Sequence, residues 1–209
     1  MLQRMRKARQ GGFTIVELMF TVMVAAVLLA IGVPNFREFL QNGRMVSAAN
    51  DFLSDVNLAR SESVKRRVPV TLCKSSDGAS CSTSNSVALR RWIVFVDDAN
   101  SAAVSANDGN GSVESGETVL RDRSIAESVT PSAVGNRIVF RPNGFPTVDA
   151  TNGLTRILMC DKRGSDVSTG GDSAARGITV SATGRPSVTR DKTKIVAAVA
   201  SGGFGGCPP

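Results

Sequence analysis

Between Phe13 and Val33 lie twenty-one residues with a single ionisable side chain, Glu17. A carboxylate among apolar neighbours can act as an acid or base, hold a cation, or pair with a positive group. Left alone near a membrane interior it costs on the order of 3 kcal/mol or more. The rest of the chain argues against catalysis. It has no histidine, hence no imidazole base and no Ser-His or Cys-His dyad. No Gly-rich phosphate loop or other catalytic signature is present, so the chain reads as a non-enzyme that needs no cofactor. Glu17 is therefore expected to meet a positive partner.

Cys73, Cys81, Cys160 and Cys207 offer either disulfides or a metal site. Zinc is disfavoured, because there is no C-x-x-C pair and no histidine. Disulfides in an oxidising compartment are the expectation. Four cysteines allow three pairings. The expected set joins Cys73 to Cys81 across the turn-rich Lys74 to Ser80, and Cys160 to Cys207, which pins the glycine-rich tail Gly202 to Gly206 onto the domain. The acidic stretch Asp97 to Glu117 raises a second metal question. Asp108, Asn110 and Ser112 alternate like the opening of a calcium loop, with Glu114 and Glu117 following. An EF-hand loop wants glycine at its sixth position and glutamate at its twelfth; counted from Asp108, these are Val113 and Val119. Asp, Asn, Ser and Gly are also ordinary turn formers. The expectation is a turn without a metal, with calcium in 97–117 left undecided.

Formal net charge is +7, a balance that invites nucleic acid as a partner. Arg4, Arg6, Lys7 and Arg9 all fall in the first twelve residues, and without them 21 Lys and Arg face 18 Asp and Glu. What remains is local. Arg185, Arg190, Lys192 and Lys194 crowd the C-terminal region, where only Asp191 opposes them. Such a patch can contact phosphates non-specifically with strong salt dependence. The chain has no tyrosine, and Trp92 and most phenylalanines sit in apolar runs, so no stacking platform for bases is evident. A solvated basic face is the plainer reading.

The elements that must position these residues follow from periodicity. As a helix, Phe13 to Val33 spans roughly 31 Å, about the hydrocarbon thickness of a bilayer. The basic leader Met1 to Gly12 should stay on the cytoplasmic side, which sends the remainder across. A cleavable secretory signal fits poorly, since the stretch is long and Ala30-Ile31-Gly32 is a weak cleavage site. An unprocessed anchor fits the length but leaves Glu17 unexplained. Phe36, Phe39, Leu40, Val46, Ala49, Phe52, Leu53, Val56 and Ala59 then recur at spacings of three and four, predicting an amphipathic helix over 34–67. A kink is expected at Pro34. Lys65-Arg66-Arg67 stands where that helix should end, and cations there suit the macrodipole. From residue 68 to 209 the pattern is β. Val68–Cys73, Trp92–Val96, Thr118–Leu120, Arg137–Phe140, Arg156–Met159, Gly177–Val180 and Lys194–Val199 are short β-branched segments between turn formers. They predict an antiparallel domain with its own core.

Gly12-Phe13-Thr14-Ile15-Val16-Glu17-Leu18 resembles the cleavage and assembly motif of type IV pilins and type II secretion pseudopilins. The resemblance implies that a prepilin peptidase removes 1–12, cutting after Gly12 and methylating the new amino terminus on Phe13. Glu17 becomes the fifth residue of the mature chain, and Pro34 matches the proline that commonly ends the apolar stretch. The new ammonium on Phe13 then supplies the expected partner for Glu17 of a neighbouring subunit. Such a head-to-tail contact that does not close generates a filament. Leu58 to Ser63, Arg91 to Asp97, Gly116 to Arg121 and Gly184-Arg185 are similar, in order, to blocks of the GspH/FimT family of minor pilins and pseudopilins. That likeness implies an α+β pilin fold: a long N-terminal α-helix, membrane-spanning in its first half (13–33), packed on a C-terminal antiparallel β domain with two sheets. It also implies an inner-membrane single-pass subunit with a periplasmic head, later fitted into a filament. The implied partners are other minor and major pilins or pseudopilins, the peptidase, the inner-membrane assembly platform and the lipid bilayer. Pilus use is favoured over type II secretion. DNA enters as a third alternative, because some members are receptors for natural transformation through a G-R-x-R segment. Here Gly184-Arg185-Pro186-Ser187 lacks the second arginine.

Overall fold

The computed structural model describes residues 12–83, 89–98, 108–147, 153–165 and 171–200, with 202, 204, 206 and 207 beyond them. Residues 1–11, all but the last of the expected leader 1–12, lie outside that set, as do residues 99–107 of the acidic stretch. The chain divides into two units, Met1–Leu40 and Gln41–Pro209.

Helix α1 covers Ile15–Arg66. Thr14 caps it: the Thr14 Oγ1 accepts the backbone N–H of Glu17 at 3.2 Å, filling one of the orphan donors of the first turn. Thr14-x-x-Glu17 is thus a capping-box pattern, and an acid in the first turn suits the helix dipole. Pro34 lies inside the helix, and beside it the Asn35 side-chain amide donates to the Ile31 carbonyl. At the far end Glu62 pairs with Arg66 and Lys65, and Arg67 takes a left-handed φ of 60° that ends the helix.

In the second unit the buried face of α1 is Met45, Ala48, Ala49, Phe52, Asp55, Val56, Ala59 and Ser63. The predicted stripe is therefore shifted at its start. Met45 and Ala48 are buried where Val46 was expected, and Val46 is 45% exposed. The three-and-four spacing that fixes the face runs back from Phe52 through Ala48 or Ala49 to Met45.

Two antiparallel sheets receive this face. One runs β3-β2-β1-β5-β6, from β1 (Val70–Lys74), β2 (Arg91–Val96), β3 (Val119–Ser124), β5 (Arg137–Phe140) and β6 (Pro146–Thr147). The other runs β4-β7-β8-β9, from β4 (Thr130–Val134), β7 (Arg156–Cys160), β8 (Arg176–Val180) and β9 (Pro186–Thr189). Strand alternation splits the side chains between layers. Val70, Leu72, Trp92, Val94, Ile138 and Phe140 join the helix face, Ile157, Met159, Ile178 and Val180 in one core. Each large apolar group so buried contributes about 1.5–3 kcal/mol. On the other side of the second sheet, Leu158, Cys160 and Ala175 pack against Ile195 and Phe204.

Two expectations need correction. Lys194–Val199 is not a strand; it lies in helix α2, Lys192–Ala200. Asp191 caps that helix through the N–H groups of Thr193 and Lys194, and Ile195, Ala198 and Val199 turn one face to the sheet. β4, β6 and β9 were not among the expected strands, and each contains a proline, at 131, 146 and 186. All three are edge strands, where a missing N–H donor is tolerated.

Candidate functional site

The N-terminal segment offers the most distinctive surface. Gly12, Phe13 and Thr14 precede α1 as exposed non-helical chain, and Phe13 is 81% exposed. Glu17 sits in the first turn of the helix, also exposed. Around it Ile15, Val16, Leu18, Met19 and Phe20 all face outward within this unit. A helix apolar on every side belongs in a membrane or among other helices, and Ile15–Arg66 contains a stretch long and apolar enough to cross a bilayer.

In the head, an acid of α1 clasps the first sheet. Asp55 is fully buried; its Oδ2 accepts from Trp92 Nε1 at 2.8 Å and from Arg123 Nε at 2.7 Å. Arg121 approaches the same carboxylate at 3.6 Å, and Arg123 also reaches Asp51 at 3.2 Å. Phe52 meets the Trp92 ring edge-on at 5.3 Å. The sequence reading missed this buried carboxylate; its register with Phe52, Val56 and Ala59 on the apolar face was the available clue.

A second carboxylate cluster forms where β2 ends. Asp97, buried, accepts from the Thr71 hydroxyl at 2.5 Å and from the N–H groups of Gly109 and Gly111. One oxygen each from Asp97, Glu114 and Glu117 lies within 4.8 Å of the others. Glu114 is held by the Asn110 amide at 2.7 Å, and Glu117 by the Glu114 N–H at 2.9 Å. Burial pushes the Asp97 carboxyl up. It also pushes Glu117 up to about 7, with the neighbouring acids adding to the effect. The predicted alternation Asp108-Asn110-Ser112 makes a turn instead, in which Asn110 Oδ1 accepts the Ser112 N–H.

Both disulfides join the expected partners. Cys73 bonds Cys81, with Cα atoms 5.6 Å apart. Asp77 organises the enclosed loop by accepting from Ser75, Ala79 and Ser80. The Ser80 hydroxyl foremost, with those N–H groups, holds its carboxyl far below the usual range. Cys160 bonds Cys207 across 47 residues, bringing the tail over the second sheet. Phe204 lies so close to Gly177 that a Cβ there would sit 3.0 Å from its ring.

Residues 48–184 match the family described as Type II transport protein GspH. The chain belongs to that family. Residues 7–33 match the prokaryotic N-terminal methylation motif, so the GspH-family head carries a pilin-type N-terminus, and the protein is a minor pilin or pseudopilin. No curated protein matches the sequence. Among solved structures, the type IV minor pilin FimU of Pseudomonas aeruginosa strain PAO1 is similar in two crystal forms. In space group P21 the identity is 16%, covering 72% of this chain and 92% of that one, with a TM-score of 0.45. In P65 the identity is 15%, the coverage 68% and 90%, and the TM-score 0.42.

The GspH-family span includes Asp55, Trp92, Asp97, Glu114 and Glu117, and stops one residue before Arg185. Gly184 is required by the fold itself. At φ +76° it closes the Ser181–Arg185 turn, and a Cβ would press on the Gly144 carbonyl and the Phe140 ring. The basic residues beyond it are partly answered. Arg190 faces Asp172 at 3.7 Å and Lys194 faces Asp191 at 3.7 Å. Lys194 shares a groove with Arg156, Thr179 and Ser187 that Arg185 does not line.

Proposed function

We propose that this protein is a minor pilin subunit that assembles into, or primes, a type IV pilus through α1. The observation that carries the proposal is the outward-facing apolar stretch of α1, residues 15–33, whose one acid lies in the first turn, on a chain of this family. Processing after Gly12 leaves a methylated ammonium on Phe13, and Glu17 of the adjoining subunit neutralises it. Before assembly the chain sits in the inner membrane as a single pass with its head in the periplasm. Its partners are then the other pilins, the prepilin peptidase and the assembly platform. Pro34 is the proposed bend point within α1.

The test is incorporation. Glu17→Ala should stay in the membrane fraction, with an unchanged processed terminus by sequencing, and fall at least tenfold in sheared filaments. Normal incorporation, or a mature start other than modified Phe13, overturns the proposal. The family description favours a second reading, a pseudopilin of type II secretion. A deletion strain that loses secretion and keeps its pili would select it. DNA reception finds less support, since Arg190 and Lys194 already face carboxylates. Salt-sensitive DNA retardation abolished by Arg185→Gln would restore it.

A further inference from the structure

In the turn that leads into β3, two half-buried glutamates face each other. Each has one oxygen engaged by a donor: Glu114 Oε1 by the Asn110 amide, Glu117 Oε2 by the Glu114 N–H. The second oxygens, Glu114 Oε2 and Glu117 Oε1, are shut off from solvent and meet no N–H or hydroxyl donor. The two carboxyl groups are nevertheless in hydrogen-bond contact with one another. Two carboxylates cannot make that bond, since an ionised carboxyl only accepts. A carboxylic acid and a carboxylate can, and one proton then satisfies both orphaned oxygens. The buried Asp97, with one oxygen within 4.8 Å of the glutamates, does not need that proton. Its carboxylate already accepts from the Thr71 hydroxyl and from the N–H groups of Gly109 and Gly111, donors that favour its charged form.

We propose that Glu114 and Glu117 share one proton, and that this acid pair is a pH-sensitive clasp on the start of β3. It sits where the β2–β3 ladder is irregular. The register shifts between Val94 and Phe95, the last link is the Val96 N–H to the Thr118 carbonyl, one residue beyond Glu117, and β3 is an edge strand. The other charged groups around the pair come from every neighbouring element. From β2 there are Asp97 and, in the groove that Glu117 lines, Asp98; from α1 the same groove receives Arg66, which is already bound to Glu62 at 2.6 Å. Asp108 precedes the Gly109–Gly111 turn, and Arg137 of β5 lies against Gly111. Loss of the shared proton sets three negative charges side by side in a half-buried place, a repulsion relieved when the turn opens to water. Burial foremost, with Asp97 and Glu114 adding, raises the Glu117 carboxyl from its ordinary 4.5 to about 7. The folded chain thus holds the proton more tightly than the unfolded one. The stabilisation is complete below about pH 4.5 and is lost as pH rises through about 7.

The experiment uses the full-length chain in detergent, with carbon-13 in its glutamate carboxyl groups, titrated by NMR from about pH 4.5 to about pH 8.5 across the expected window. Urea unfolding is measured at the acidic and alkaline ends on the same chain and on Glu117→Gln and Glu114→Gln, whose amide N–H donates to the opposing oxygen at every pH. One glutamate carboxyl resonance, absent from a variant, should titrate with an apparent midpoint between about pH 6 and about pH 8, a value that belongs to the pair. Between the two ends the folding equilibrium constant of the wild type should fall about tenfold or more beyond any fall in either variant. If every glutamate carboxyl titrates below about pH 5.5, as unpaired acids do, the proposal is overturned. Parallel stability profiles in the wild type and both variants overturn it too. The wild-type titration decides the matter even where a variant fails to fold.

Discussion

Asp55 shows how one side chain settles the placement of a helix on a sheet. It offers one carboxylate to an indole, two guanidinium groups and no solvent. Removing one partner of a buried charge pair costs about 3–5 kcal/mol, because the other charge stays behind. Asp55→Ala should therefore unfold in urea with a stability loss of that order. Asp51, which meets the same Arg123 at the surface, is the control, with a loss below about 1 kcal/mol for Asp51→Ala. Equal losses would show that the clasp is no more than a surface ion pair. Asp55 was not singled out from sequence; its role exists only once Trp92 and Arg123 are folded opposite it. Glu17 was legible because its neighbours are apolar for ten residues and more on one side. Asp97, Glu114 and Glu117 were visible as acids but not as a group, since their linear spacing is not that of a single continuous metal loop.

The two disulfides act on different elements and should differ in worth. Closing 47 residues removes more freedom from the unfolded chain than closing 8. Chain-entropy estimates put the Cys160–Cys207 bond at about 4 kcal/mol and the Cys73–Cys81 bond at about 2.5 kcal/mol. Chemical denaturation of Cys160→Ala/Cys207→Ala should thus show the larger loss, accompanied by early exposure of α2 and Phe204 in hydrogen exchange. If the Cys73→Ala/Cys81→Ala chain proved the weaker one, the tail would not be the main brace. Most central strands could be read from β-branched runs bounded by turns. The edge strand β3 was read in part, as Thr118–Leu120, but the edge strands β4, β6 and β9 were not, since proline at 131, 146 and 186 argues locally against a ladder that needs donors on one side alone. The misreading of Lys194–Val199 has a similar origin: Ile195, Val196 and Val199 favour a strand by type, and the Asp191 cap with alanines at 197 and 198 outweighs them.

On the scale of the whole molecule, every buried hydrophobic group lies at or beyond Met45 among the described residues. The unit Gln41–Pro209 therefore contains the full core without help from 1–40. A chain lacking 1–40 should be water-soluble and melt within about 3 °C of the full-length protein, as a surface truncation removed from the core would. Loss of cooperative melting would show that the apolar segment stabilises the head.

Because α1 leads through Val68 and Pro69 straight into β1, tension from the N-terminal side that had first stripped the Met45–Ser63 face of α1 from the core would next reach the head at Val70. That strand is laddered on both flanks, to β2 and to β5. Were it to peel, only Val70, Thr71 and Leu72 could leave before the strain reached Cys73. The sulfur link would then carry the load directly to Cys81, bypassing 74–80 and withholding roughly 25 Å of slack that an open loop would release. A subunit built this way yields little length when pulled.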